Sequence, residues 1–235
     1  MGNKQISNDY KIIKKLKERE FEDDYLIEKN KKYYILKKIK SKLSQKEIEE
    51  YNKLVNILKK LNNKYIIKYY NSFQEKDSFN FLIEYNRNSN LKQYIQMHKY
   101  KNELIEEKII KNIINQICTG LKEIYKNKLI HGNLRSDNIF LDKNNNIKIG
   151  YFDISEILVK DTILSKSKTE NFQNFVHEDE KGAYNIKIDL YSLGCILFEL
   201  LTLEEYSIDK YNNVYDKKID TYVYNYKWNE LIDYY

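Results

Sequence analysis

The sequence predicts an α+β protein in which a strand-rich N-terminal part precedes a helix-rich C-terminal part, with a break near residues 85–90. Residues 10–40 alternate between apolar and polar side chains, which is typical of strands. Residues 104–127 and 189–201 instead repeat apolar side chains at helical spacing. With 235 residues and a hydrophobic fraction of 42%, the chain is long enough for one large domain or two packed lobes.

In the N-terminal part, a helix follows the first strands. Residues 44–47 read Ser-Gln-Lys-Glu, which is a capping box, and the apolar residues after it recur at helical spacing to about residue 61. Residues 65–70 and 80–85 predict two further strands.

In the C-terminal part, the long helix of residues 104–127 comes first. Residues 129–153 alternate between short apolar runs and turn residues, with a turn at 142–145, and predict short strands. Residues 154–183 are polar and have no clear period, and the apolar helix of residues 189–201 follows them.

Composition argues against several classes of function. The net charge is +6, but the lysines are mixed with acidic residues along the whole chain, which favours a solvated surface over a nucleic-acid site. Cys118 and Cys195 lie in apolar helical patterns and are expected to be thiols in a reducing, cytoplasmic compartment. No apolar stretch spans a bilayer. Residues 1–7 only partly fit a myristoylation signal, so we expect membrane attachment only if Gly2 is acylated.

Four motifs resemble those of protein kinases, and they occur in the same order as in that family. Residues 129–141, LIHGNLRSDNIFL, resemble the catalytic loop H-R-D-L-x-x-x-N. Residues 149–153 stand where D-F-G belongs, residues 189–195 resemble the D-x-W-S-L-G-C helix, and residues 34–37 occupy the V-A-I-K position. The overall pattern is most similar to serine/threonine kinases of the NIMA-related type.

The resemblance implies a bilobal kinase-like fold, with a β-rich N-lobe at 10–85, a helical C-lobe at 86–235, a tail at 1–9 and a nucleotide cleft between the lobes. The helix that begins near Ser44 would be the family's αC helix. Residues 203–235 are short for the remaining helices of a kinase, so we expect the C-lobe to be truncated at its end, and His177 stands where the A-P-E glutamate belongs. The fold alone does not imply catalysis.

Three positions depart from the residues that the family uses for chemistry. Asn133 replaces the aspartate that accepts the substrate proton, and an amide has no useful basicity. Tyr151 replaces the main magnesium ligand, and a phenol with a pKa of about 10 is a poor substitute for a carboxylate. Leu54 replaces the αC glutamate, although Glu50, one turn away, leaves a shifted pair with the β3 lysine open.

Other positions match the family. The resemblance implies that Lys37 is the β3 lysine that contacts phosphates, although a surface-strand lysine is an equal alternative. It also implies that Arg135 steadies the transferred phosphate and that Asn138 is the second magnesium ligand. Glu84 and Asn86 would lie at the hinge, where a nucleotide would bind.

A further group of matching residues has a structural role in the family. Asp189 would hold the backbone of the catalytic loop. The apolar column that links the two lobes would consist of Leu58, Tyr69, His131 and Phe152.

The phosphate-covering loop of the family falls on residues 17–24, which contain no glycine and carry five carboxylates: Glu18, Glu20, Glu22, Asp23 and Asp24. Without glycine the backbone cannot approach phosphates closely, and the carboxylates repel a polyanion. We therefore expect a charged hairpin without a ligand. Ile35 replaces a small alanine and would partly fill the adenine slot.

These departures predict a catalytically impaired domain, a pseudokinase, that binds and regulates another protein, with an active kinase among the candidate partners. No cofactor is expected, and neither is nucleic acid. The alternative is an active serine/threonine kinase that uses displaced residues to transfer the γ-phosphate of ATP with magnesium. A decayed gene product without a role is a third interpretation.

Overall fold

A computed structural model describes residues 10–18, 20–40, 44–75, 78–87, 89–127, 129–152 and 186–205, with the side chains of residues 186 and 187 left out. The predictions for residues 1–9, for the polar segment at 154–183 with His177, and for the end of the chain after residue 205 lie outside the described residues. Within the described part, no helix combines the length and the apolar character needed to cross a bilayer.

The N-terminal part is a five-stranded antiparallel sheet with the order β1-β2-β3-β5-β4. The strands are β1 Lys11–Glu18, β2 Glu22–Lys29, β3 Lys32–Ile39, β4 Tyr69–Glu75 and β5 Ser78–Glu84. Asn30 and Lys31 join β2 to β3 in a two-residue turn, and both have a positive φ, as the favoured hairpin turns require. The strands predicted for residues 10–40 are thus confirmed.

The prediction of a strand at 65–70 was wrong over residues 65–68. Ile66 forms a parallel bridge with Ile149, and the amide of Ile67 donates to the carbonyl of Ile149 at 2.8 Å. The amide of Ile149 in turn donates to the carbonyl of Tyr65 at 2.8 Å. This short apolar stretch therefore fastens the sheet to the C-terminal part, and β4 begins only at Tyr69.

The helix α1, Gln45–Leu58, begins at the predicted capping box. The Glu47 amide donates to Ser44 Oγ at 3.3 Å, and the Ser44 amide donates to Glu47 Oε2 at 2.7 Å. The hydrogen bonds from Ser44 lower the pKa of the Glu47 carboxyl. The helix ends at Leu58, not at 61, because the amides of Lys60 and Leu61 bond three residues back and tighten the last turn.

The C-terminal part is mostly helical. Its elements are α2 Leu91–Lys101, α3 Glu107–Lys126, a 3₁₀ turn at Ser136–Asn138, β6 Ile139–Leu141, β7 Ile147–Ile149 and α4 Ile186–Thr202. The helices predicted at 104–127 and 189–201 and the short strands after 129 are confirmed. The α2 helix was missed, because only Leu91 and Ile95 of its residues are buried and no apolar stripe is visible.

A single hydrophobic core runs through both parts and positions the site. It contains Phe81 and Ile83 of β5, the inner face of α1, and Ile113 and Ile117 of α3. On the side of the sheet, Tyr51 of α1 stacks on Phe79 with the ring centroids 5.2 Å apart. The strand-rich part followed by a helix-rich part is the predicted α+β architecture.

Candidate active site

Lys37 lies in β3 directly opposite Asp24 of β2, and only 6% of the residue is exposed. Its Nζ is 2.7 Å from Glu22 Oε2 and 3.9 Å from Asp24 Oδ1. The alternative of a surface-strand lysine was therefore wrong. Lys37 is a buried ammonium that is balanced by carboxylates of the neighbouring strand.

The position of the αC glutamate is apolar in the structure as well. Leu54 is 3% exposed and belongs to the core. The Glu50 side chain is 18% exposed, and its Oε1 lies 3.9 Å from Lys46 Nζ of the same helix. The shifted pair of Lys37 with Glu50 is not formed, because both ion pairs of Lys37 go to β2.

Asp23 of the acidic hairpin is paired with two lysines. Asp23 Oδ1 is 3.1 Å from Lys40 Nζ, Asp23 Oδ2 is 3.3 Å from Lys15 Nζ, and the Tyr25 hydroxyl donates to the same carboxylate at 3.0 Å. Burial alone would raise the pKa of Asp23, but the hydrogen bonds from Lys40, Tyr25 and Lys15 outweigh it and lower the pKa. Because strand residues alternate between faces, Glu22 and Asp24 approach Lys37 while Asp23 serves this second cluster.

The catalytic-loop backbone is anchored on α4. The carboxylate of Asp189, which is fully buried, accepts hydrogen bonds from the amides of His131 at 2.8 Å and Gly132 at 2.9 Å. Gly132 has a φ of 72°, a conformation that side chains rarely adopt, so a glycine suits this turn. The Tyr125 hydroxyl adds a third donor to Asp189 at 3.3 Å, a contact that sequence reasoning missed.

The His131 ring is held as a single neutral tautomer. Its Nδ1 accepts from the Asn133 amide at 3.2 Å, and its Nε2 faces the Gly150 carbonyl at 3.1 Å. A nitrogen that faces an amide must accept and one that faces a carbonyl must donate, so the proton is on Nε2. His131 is thus a structural strut between two backbone segments.

The four residues of the expected apolar column all lie in the interior. The Phe152 ring is 4.7 Å from the His131 ring and 5.8 Å from the Tyr69 ring, measured between centroids. Leu58 is 1% exposed and belongs to the same core. The column therefore reaches from the sheet side to the catalytic loop, with Phe152 in its middle.

Asn133 and Tyr151, at the expected base and metal positions, are bonded to each other. Asn133 Nδ2 donates to the backbone carbonyl of Tyr151 at 3.2 Å. Asn138 Nδ2 donates to the Asn133 carbonyl at 2.8 Å, so its amide nitrogen is engaged in holding the loop. An aspartate at 133 would face the Tyr151 carbonyl with an acceptor in place of a donor.

Tyr151 is packed between the lobes and not exposed as a metal ligand. Its φ is 59°, and its ring lies edge-on to Phe140 with the centroids 5.5 Å apart. Burial raises the pKa of the phenol above its ordinary value, and the charges of Asp24 and Tyr85 raise it further. The phenol therefore stays protonated, and within the described ranges no group of three or more His, Cys, Asp or Glu side chains could hold a metal ion.

Arg135 is exposed and paired locally. Its Nη2 lies 2.8 Å from Asp137 Oδ2, and about half of the side chain is in contact with solvent. Asp137 is also 3.9 Å from Lys92 Nζ of α2. The guanidinium is thus part of a surface ion-pair group beside the catalytic loop.

The hinge residue Glu84 contacts the segment before β4 and the strand β7. Its carboxylate accepts from the backbone amide of Lys68 at 3.0 Å and from Lys148 Nζ of β7 at 2.5 Å. Asn86 follows β5 in the connection that leads to α2. The Glu84 side chain therefore ties the end of β5 to β7 in the C-terminal part.

The comparisons with known proteins agree with the architecture. The family model described as protein kinase domain matches residues 24–233. The mouse serine/threonine-protein kinase Nek1 is 30% identical over 199 residues, human Nek5 is 32% identical over 200 residues, and human Nek11 is 31% identical over 202 residues. Each match covers 83% of this chain, and the chain spans 16%, 28% and 31% of the three relatives respectively.

Three findings agree on one assignment: the order of the strands and helices, the catalytic loop anchored on Asp189, and the matches to known kinases. The chain belongs to the protein kinase superfamily and is a NIMA-related member of it.

Proposed function

We propose that this domain is a catalytically impaired kinase, a pseudokinase that acts as a protein-interaction or regulatory module. The observation that carries the proposal is the hydrogen bond from the side-chain amide of Asn133 to the backbone carbonyl of Tyr151. It ties the position of the base to the position of the metal ligand, and neither residue has the required chemistry. Asn133 cannot accept a proton as a carboxylate does, and the Tyr151 phenol stays protonated.

Phosphoryl transfer requires little covalent chemistry from the protein and depends on the residues at positions 133 and 151. A base orients the attacking hydroxyl, and metal ions neutralise the charge that develops on the transferred group. Positioning and electrostatic stabilisation supply most of the rate enhancement in such enzymes. A site that lacks both groups should retain little of it.

The described residues do not fit a nucleotide with magnesium either. Lys37, the residue expected to contact phosphates, is paired with Glu22 and Asp24. The Tyr151 ring packs on Phe140, where the resemblance expects a hard oxygen ligand for the metal. These contacts leave neither Lys37 nor Tyr151 to hold the phosphates of ATP or magnesium at the positions that the resemblance implies.

The features that make the fold are kept, which supports a role for the surface of the domain. Asp189 still anchors the catalytic loop, and the column through Phe152 still joins the two lobes. A rigid kinase fold without chemistry is suited to recognising another protein, and we propose an active kinase as one such partner. We propose a reducing cytoplasm as its location, in line with Cys118 and Cys195 being thiols and not a disulfide.

The second candidate is an active serine/threonine kinase. The relatives carry that name, and Asn138 and Asp189 stand at the positions that the resemblance assigns to them. Asp153 would then have to serve as a displaced metal ligand, and it lies outside the described residues. We favour the first candidate because base and metal ligand are both replaced.

A transfer assay separates the two candidates. The chain is incubated with radiolabelled ATP, magnesium and a generic basic protein, beside the Lys37→Met variant. We expect no transfer above that variant and no thermal shift with millimolar Mg-ATP, whereas a ligand at a hundred times its Kd stabilises a fold by about 2.7 kcal/mol. Transfer by the unmodified chain that Lys37→Met abolishes would refute the proposed function.

A further inference from the structure

The Lys37 side chain needs a counter-charge that its own environment must supply. The side chain is 8% exposed, and an ammonium buried to this degree is costly unless it is paired. The family's usual partner on the αC helix is replaced by Leu54, which lies in the core. A bound phosphate or a carboxylate from another element must therefore balance the charge.

The carboxylate comes from the start of β2, which forms the last three residues of the expected phosphate-covering loop. Glu22 and Asp24 are two residues apart, so both side chains point to the same face of the sheet as Lys37. Glu22 Oε2 is 2.7 Å from Lys37 Nζ, the length of a charge-assisted hydrogen bond, and its side chain is only 20% exposed. Asp24 Oδ1, at 3.9 Å, adds a second negative charge.

We propose that Glu22 is an internal ligand of Lys37, whose carboxylate takes the place of a phosphate and excludes the polyphosphate part of a nucleotide from the cleft. The inference rests on the proposed function and names how that site rejects anions. Two carboxylates lie beside the Lys37 ammonium, at 2.7 and 3.9 Å. An incoming polyphosphate must displace Glu22 and still meet Asp24.

The test uses inorganic tripolyphosphate, which corresponds to the anionic part of a nucleotide. Its binding does not depend on the position of the base, on the position of the metal ligand or on the Tyr151 side of the cleft. Binding to the full chain is measured by calorimetry for the unmodified protein and for Glu22→Gln. We expect about tenfold tighter binding in the variant, because one charge-assisted contact no longer competes for Lys37. The gain should disappear when Lys37→Met is added to Glu22→Gln.

The matched control is Glu18→Gln. Glu18 is in the same hairpin, pairs with Lys15 at 2.8 Å, and its replacement changes the net charge by the same amount. A gain in Glu22→Gln that exceeds the gain in Glu18→Gln supports the inference. Equal gains in both variants would overturn it, because the effect would then be one of general charge.

The Glu22→Ala variant and the binding of tripolyphosphate to the unmodified chain complete the test. Glu22→Ala removes the carboxylate with a smaller side chain and is used if Glu22→Gln unfolds at a lower temperature than the unmodified protein. Lys37-dependent binding of tripolyphosphate to the unmodified chain, or no gain in either Glu22 variant, would overturn the inference and leave the proposed function untouched. The proposed function falls instead on phosphate transfer by the unmodified chain, which no tripolyphosphate result can produce.

Discussion

Replacing Asp189 by asparagine tests whether the catalytic loop is still held by α4. The carboxylate accepts from the backbone amides of His131 and Gly132 at 2.8 and 2.9 Å, in a fully buried position. An asparagine has the same shape but offers only one acceptor oxygen. One of the two backbone amides would therefore face an NH₂ group and lose its partner.

The expected cost of Asp189→Asn follows from that geometry. A hydrogen bond to a charged group contributes about 1.5–3 kcal/mol, and an unsatisfied buried donor costs about 1–3 kcal/mol. We expect a loss of about 3–5 kcal/mol in the free energy of unfolding, which corresponds to a fall in Tm of roughly 10 °C for a domain of this size. Thermal unfolding followed by far-UV circular dichroism measures it.

The control for this prediction is Tyr125→Phe. It removes the third donor to Asp189, a hydroxyl at 3.3 Å, and leaves both backbone hydrogen bonds in place. We expect a loss of about 1 kcal/mol. If Asp189→Asn destabilises the fold no more than Tyr125→Phe does, Asp189 does not hold the loop and the reasoning fails.

Three further predictions concern stability. Ser44→Ala removes the cap of α1 and should lower the free energy of unfolding, measured by urea denaturation, by about 1 kcal/mol. An unchanged urea midpoint would mean that the cap does not stabilise the fold. Gly150→Ala should cost about 1–3 kcal/mol, because a Cβ there would lie 2.5 Å from Ile67 Cδ1, whereas Gly194→Ala, which meets nothing within 4 Å, should be neutral or stabilising. The lowered pKa of Asp23 means that its contribution to stability is complete above the ordinary carboxyl value of about 4 and is lost as the pH falls through the lower folded value. Asp23→Asn should therefore flatten the acid limb of the stability curve, and an unaltered limb would contradict the assignment.

Periodicity predicted most of the fold because each predicted element depends on local packing. The capping box at Ser44 and the apolar stripe of α3 are visible in the sequence and recur in the structure. The α2 helix is mostly polar and was missed, although Asn90 and Gln93 form a reciprocal cap that a search for such pairs would find. The apolar run at Tyr65 was misassigned because its partner, β7, lies more than eighty residues away in the sequence.

The site was harder to predict than the fold. Motif positions predicted that Asp189 holds the backbone of the catalytic loop, but they could not show which groups contact Lys37. The partner of Lys37 is set by the register of β2 against β3, and the sequence instead offered Glu50 on the helix. The Tyr125 hydroxyl reaches Asp189 from a different helix, and no local pattern signals such a contact.

On the proposed function, the hydrogen bond between Asn133 and Tyr151 would make the replacement of the base difficult to reverse by stepwise evolution. Its acceptor is the main-chain carbonyl of residue 151, so no substitution of the Tyr151 side chain removes it. A lineage that regained aspartate at 133 would set one acceptor against another, at a cost of about 1–3 kcal/mol, and would gain no turnover while the metal position stayed altered. On the proposed function, a return to aspartate at 133 alone would therefore be selected against.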